Sequence, residues 1–120
     1  MNKITSIEDI NALITAGVEE CTTLEYKSDI NTSNDKWKGE MAKDISAMAN
    51  ANGGAIIYGV KEFDEEEKRH IPSHITPIDT TKVSKETIAQ VISSNISPKI
   101  KGLEINSLVV DMANPNEVIY

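Results

Sequence analysis

Cysteine, aromatic residues and basic charge are all in short supply in this 120-residue chain. The single cysteine, Cys21, excludes an internal disulfide and any zinc-finger spacing, and it fits a reducing cytoplasm. No histidine lies near it in sequence, so it reads as a small half-buried residue rather than a nucleophile. Aromatics make up 4% of the residues, which leaves aliphatic side chains to fill the core. No apolar run approaches the roughly 20 residues that cross a bilayer. Met1-Asn2-Lys3-Ile4-Thr5 carries neither the apolar stretch nor the cleavage site of a secretory signal. A cytoplasmic domain without a membrane partner is therefore expected. Lys and Arg number 12 against 19 Asp and Glu, a net charge of −7. Acidic balance argues against strong non-specific attachment to phosphate backbones, which needs a basic footprint. Charges can still segregate by face, and Glu62, Asp64, Glu65, Glu66 and Glu67 concentrate much of the excess in one place.

Two common chemical motifs are also missing. Gly54 and Gly59 have the separation of a Walker loop, but Val60 and Lys61-Glu62 follow them, and the intervening Ala55-Ile56-Ile57-Tyr58 favours a strand over an anion-binding nest. Gly53-Gly54 follows a predicted helix instead of preceding one, so no helix dipole favours an anion there. His70 and His74 are separated by Pro72, which opposes the helix that would align them as metal ligands; both read as surface residues.

What is present is a soluble globular composition, 39% hydrophobic and 26% charged, sized for one domain. Ile7, Ile10, Leu13 and Ile14 recur at helical spacing, with Ser6 to cap the helix and Gly17 to stop it, which predicts a helix from Ser6 to about Ala16. Residues 22–27 favour a strand and residues 28–35 a loop. Met41, Ala42, Ile45, Met48 and Ala49 form one stripe of a second helix running from about Asp35 to Asn50, ended by Asn52-Gly53-Gly54. The unbroken apolar run Ala55–Val60 predicts a central strand covered on both faces. Residues 61–69 read as an exposed hairpin tip, and residues 70–81, with Pro72 and Pro77, as irregular or edge-like. Ser84 caps a third helix with Ile88, Val91, Ile92 and Ile96 inward, terminated by Pro98. Leu103–Met112 reads as a strand, Asn114-Pro115-Asn116 as a turn, and Glu117–Tyr120 as the start of another strand. A chain that stops inside a strand predicts the N-terminal piece of a longer protein: a helix and lead-in over residues 1–18, then one domain over residues 19–120.

Carboxylates are the main candidates for chemistry. Glu20 and Glu25 flank the start of the first strand, and Lys27 shares the alternating face of Glu25. Glu62, just past the central strand, is placed to join them. Three such acids could hold a divalent cation, Mg²⁺ or Mn²⁺, that generates a nucleophile and stabilises a phosphoryl transition state. Composition by itself favours three solvated surface glutamates, because the chain has many glutamates. For nucleic-acid contact the candidate cations are Lys27, Lys36, Lys38, Lys43, Lys99 and Lys101. Trp37 offers a stacking surface between two of them, or alternatively an apolar anchor for the helix start.

The segments Glu20-Cys21-Thr22-Thr23-Leu24-Glu25-Tyr26-Lys27, Ala47-Met48-Ala49-Asn50-Ala51-Asn52-Gly53-Gly54 and Ile57-Tyr58-Gly59-Val60-Lys61-Glu62 resemble the Schlafen AlbA-like family, also called the AlbA-type DNA-binding domain. The likeness covers roughly residues 19–120, and its most specific part is Ala-x-Ala-Asn-x-x-Gly-Gly. It implies an α+β fold, a mixed sheet packed against two to three helices, with Asn50, Gly53, Gly54 and Gly59 in structural roles. It further implies a nucleic-acid-binding (DNA-binding) N-terminal domain of a bacterial protein described as a transcriptional regulator or ATP-binding protein, followed by a C-terminal domain. Related domains in eukaryotic Schlafens cut RNA with two glutamates and an aspartate. By that resemblance Glu20, Glu25 and Glu62 would be catalytic and metal-binding residues of a metal-dependent endoribonuclease, with glutamate standing where the family has aspartate. Those nucleases build their groove from two lobes, so a full groove here would require a homodimer. A third reading is an oligomerisation, ATP-binding or small-ligand module.

Overall fold

The computed structural model describes residues 4–31, 35–50, 53–95 and 103–120. Helix α1 spans Ile7–Ala16. Ser6 Oγ accepts from the Asp9 amide, and the Asp9 carboxylate accepts from the amides of Thr5 and Ser6. This reciprocal box satisfies amides that have no partner within the helix. Removing one acceptor with Ser6→Ala should lower stability by about 1 kcal/mol, read as a shifted urea midpoint with an unchanged slope.

Strand β1 (Leu24–Lys27), helix α2 (Asp35–Asn50) and strand β2 (Ala55–Tyr58) form a crossover unit. The strands are parallel, with Leu24 beside Ala55 and Lys27 beside Tyr58. Only a long connection can join parallel neighbours, and α2 supplies it. At its end the Gly53 amide donates to Met48 O (3.0 Å), closing α2 as expected, while Asn50 is the last and exposed residue of the helix.

The apolar run 55–60 does not stay one strand. It breaks at Gly59 (φ 116), where the amide still donates to Lys27 O of β1 but the carbonyl accepts from Thr76. A Cβ at Gly59 would press on the Ile119 side chain and the Thr76 carbonyl, at 3.2 and 3.3 Å. Beyond it, β3 (Val60–Glu62) pairs antiparallel with β4 (Pro72–Ile75), with a register shift between Lys61 and Glu62. The hairpin tip is exposed, as the charge run predicts, and holds a single 3₁₀ turn over Glu66–Lys68.

After β5 (Ile78–Asp79) comes helix α3 (Lys85–Asn95), whose entry is capped by Ser84 Oγ accepting from Thr87 N. Ile96, Pro98, Lys99 and Lys101 lie outside the described residues. The strand expected over Leu103–Met112 is reduced to β6, Leu108–Val109. Its partner β7 (Glu117–Ile119) is short, so the remaining residues find no ladder, and Met112 is 85% exposed. Strands β5, β7 and β6 form an antiparallel sheet in that order.

The fold is thus α+β, with three helices and mixed strand pairing among the described residues. Among the described residues the strands pair as three small sheets. Reciprocal hydrogen bonds between Tyr58 and Tyr120 (2.8 and 3.0 Å) and the Thr76–Gly59 bond (2.7 Å) stitch them together. Side chains of β2 alternate between two cores, as a doubly covered strand requires. Ile56 and Tyr58 join Met41 and Ile45 of α2 and Ile88, Val91 and Ile92 of α3. Ala55 and Ile57 face the other way, with Leu24, Tyr26 and Ile10 of α1. No helix among the described residues is long and apolar enough to cross a membrane.

Candidate metal and phosphate site

The stretch between Glu20 and Glu25 has a simple structural cause. Cys21 and Leu24 exchange backbone hydrogen bonds (2.9 and 3.2 Å) around Thr22-Thr23, so the chain reverses tightly. Glu20 is folded back over the start of β1, where its Oε2 accepts from the Tyr26 amide at 3.1 Å. This uses a strand amide that faces away from β2. Cys21, at the head of the turn, is exposed rather than half-buried, and its Sγ lies 3.4 Å from Thr23 Oγ1.

The β3–β4 hairpin brings the other groups. The Glu20 amide donates to the His70 carbonyl (2.8 Å), tying the turn to the foot of the hairpin. His70 Nδ1 then lies 3.3 Å from Glu20 Oε1 and 3.9 Å from Glu62 Oε2. One ligand atom from each of the three residues falls within 4.8 Å of the others. The two carboxylates are walled in, 23% and 25% exposed, while the imidazole sits at the rim, 61% exposed. Together with Glu25, Lys27, Lys61 and Arg69 they line a cleft of about 490 Å³ between β1 and the hairpin.

Electrostatics in the cleft is uneven. Glu62 Oε2 is buried and accepts no hydrogen bond. Burial, and then the neighbouring Glu20 carboxylate, push the Glu62 carboxyl above the usual glutamate range, with His70 and Lys27 opposing. Burial, followed by Glu20 and Glu62, also pushes the Tyr26 hydroxyl up to about 12; that hydroxyl donates to Val18 O at 2.7 Å. Burial works against the Lys27 ammonium, yet the hydrogen bond it donates to Glu25 holds it above the ordinary lysine value, assisted by Asp44.

The structure therefore distributes the sequence candidates unevenly. Glu20 and Glu62 converge. Glu25 lines the same cleft, but its Oε1 is 3.0 Å from Lys27 Nζ, which also reaches Asp44 of α2 at 3.6 Å. Lys27 is thus engaged by two carboxylates. Lys36, Trp37, Lys38 and Lys43 lie on α2 and do not line the cleft. His70 and Arg69 were missed. An antiparallel return from residues 61–69 necessarily sets the first residues of the returning strand near Glu62, and that register was the available signal for His70.

The sequence pattern of the family described as Schlafen, AlbA_2 matches residues 20–119, and the chain belongs to that family. Domains of this type are often nucleic-acid-related. No curated protein and no solved structure is similar enough to be set beside it.

Proposed function

We propose that this domain binds nucleic acid, as the DNA-binding N-terminal part of a regulator-like cytoplasmic protein, and engages the phosphate backbone at the cleft through a divalent cation. The observation that carries this reading is the convergence of Glu20, Glu62 and His70 around a buried carboxylate oxygen with no donor. Carboxylates alone would repel a phosphodiester. Glu20, Glu62 and His70 would hold the ion, and when bound it supplies charge neutralisation and Lewis acidity toward phosphate. Glu20 is oriented for this by the Tyr26 amide, and Arg69 adds positive charge at the cleft, while Lys61 is paired with Asp64 at 3.0 Å.

The meeting of Glu20 and Glu62, with Glu25 lining the same cleft, supports a second reading, divalent-metal-dependent RNA cleavage with Glu20, Glu25 and Glu62 acting on the phosphodiester. One experiment addresses both. Fluorescence anisotropy with labelled DNA and RNA oligonucleotides, in EDTA and then in Mg²⁺ or Mn²⁺, should reveal binding that the ion strengthens and that weakens steeply as salt rises. Absence of binding to every oligonucleotide under all these conditions would sink the first reading. Recovering the RNA from the same samples tests the second. Ion-dependent cuts that disappear in Glu20→Gln and Glu25→Gln support cleavage, and intact RNA excludes it.

A further inference from the structure

We propose that His70 is a metal ligand through Nδ1, and that the set of two carboxylates and one imidazole takes a late first-row transition-metal ion, Zn²⁺ or Co²⁺, in preference to Mg²⁺. The proposal rests on the reading that a cation is held in this cleft, and it adds which cation the residues select.

Ligand type is the first argument. Mg²⁺ prefers six oxygens in near-ideal octahedral geometry and keeps several waters, whereas imidazole suits zinc and its neighbours. A set that included only Glu20 and Glu62 would be indifferent or oxygen-selective. The nitrogen changes that preference, because imidazole, a borderline donor, gains more with a late first-row ion than with Mg²⁺.

Geometry is the second. Ligand distances of about 2.0–2.2 Å around a tetrahedral ion require ligand atoms about 3.3–3.6 Å apart. The His70 Nδ1 to Glu20 Oε1 separation is 3.3 Å, and that from His70 Nδ1 to Glu62 Oε2 is 3.9 Å. One of the three edges is already formed and a second needs a few tenths of an ångström, which an imidazole at the rim can provide by a small ring rotation; the third, between the two carboxylates, lies within 4.8 Å and closes as the ion draws them in. Three protein ligands leave a fourth position facing the cleft, the arrangement of an open site.

Support around the ligands is the third. The free oxygen of Glu20 is held by the Tyr26 amide, and the Glu20 amide holds the His70 backbone carbonyl. Outer contacts of this kind fix ligand orientation. A plain His70–Glu20 hydrogen bond would leave Glu62 Oε2 buried and unpartnered; a shared cation satisfies all three groups, and two carboxylates neutralise its charge.

The test uses untagged, chelator-stripped protein titrated calorimetrically with ZnCl₂, CoCl₂, MnCl₂ and MgCl₂. Zn²⁺ and Co²⁺ are expected to bind at least about a hundredfold more tightly than Mg²⁺, and His70→Ala to lose at least about tenfold of the Zn²⁺ affinity. His74→Ala, at an exposed histidine outside the cluster, is the control and should bind as the parent does. Circular dichroism verifies folding of each variant. Pulsed EPR of the Mn²⁺-loaded protein should show coupling to one imidazole nitrogen that disappears in His70→Ala. Equal affinity for Mg²⁺ and Zn²⁺, or a His70→Ala variant with unchanged Zn²⁺ affinity and spectrum, overturns the proposal while leaving a cation in the cleft. Failure of every ion to bind overturns it too, and oligonucleotide binding in EDTA then judges the nucleic-acid reading independently.

Discussion

Gly54→Ala should cost at least about 3 kcal/mol, a large share of the roughly 5–15 kcal/mol that holds a domain of this kind folded. Two effects combine. Gly54 has φ 139, a conformation that side-chain-bearing residues rarely adopt. A Cβ there would also collide with the carbonyl group of Thr23 and come within 2.7 Å of its Cα. The obstacle is backbone, so no rotamer change relieves it. Thr23 O accepts from the Ala55 amide at 2.9 Å, extending the parallel β1–β2 ladder, and Thr23 lies in the turn that folds Glu20 back. Moving Thr23 aside would therefore disturb both the ladder and the placement of Glu20. Gly53 supplies the contrast. It has φ 75 with no atom within 4 Å of the position a Cβ would take, so Gly53→Ala should cost only the left-handed penalty of about 1–2 kcal/mol. Urea titrations of the two variants separate these cases, and equal losses would show that the approach to Thr23 does not constrain the position.

This pair of glycines marks how far a sequence of this kind can be read. Amphipathic helices were legible because their periodicity is local: α1 runs from its Ser6 cap to its Gly17 stop, α2 closes at Gly53 and α3 opens at Ser84. The parallel pairing of β1 with β2 was also within reach, since two strands linked by a long helix are readily placed side by side. Strand ends were harder, because a strand exists only where a partner runs beside it. Leu103–Met112 alternates well enough, yet only Leu108 and Val109 find β7. Likewise the run 55–60 is uniformly apolar, and nothing in that uniformity reveals that Gly59 passes the chain from β1 to β4. In the cleft, acids flanking the first strand and following the central one drew attention to Glu20, Glu25 and Glu62, of which Glu20 and Glu62 converge. The ion pair between Glu25 and Lys27 followed from strand alternation. His70 was judged by its sequence neighbours, whereas its position is fixed by a hairpin and by a backbone hydrogen bond to Glu20, fifty residues away in the chain.

Glu62→Gln should raise stability in EDTA and remove most of the stabilisation that a bound cation confers. The substitution keeps size and shape while deleting a charge from a carboxylate with one buried, donor-less oxygen, and the amide introduced can donate to Glu20. The sign follows from linkage. Burial, then Glu20, raise the Glu62 carboxyl above its unfolded value, so folding favours its protonated form. That contribution is complete below the unfolded pKa and is lost as pH climbs through the folded one. In EDTA the parent should thus lose stability relative to Glu62→Gln as pH rises out of the usual glutamate range, and the gap should persist at neutral pH. Adding a cation reverses the order. At a free concentration one hundred times its Kd, an ion specific for the native state contributes about 2.7 kcal/mol, and a variant lacking one anionic ligand should gain little of it. Thermal unfolding with and without Zn²⁺ reads both halves. A variant no more stable than the parent in EDTA, with the same response to Zn²⁺, would make Glu62 an ordinary solvated glutamate. Crossing of the two orders is the expected result, because the repulsion that burdens the ion-free cleft is the same charge density that would hold the ion.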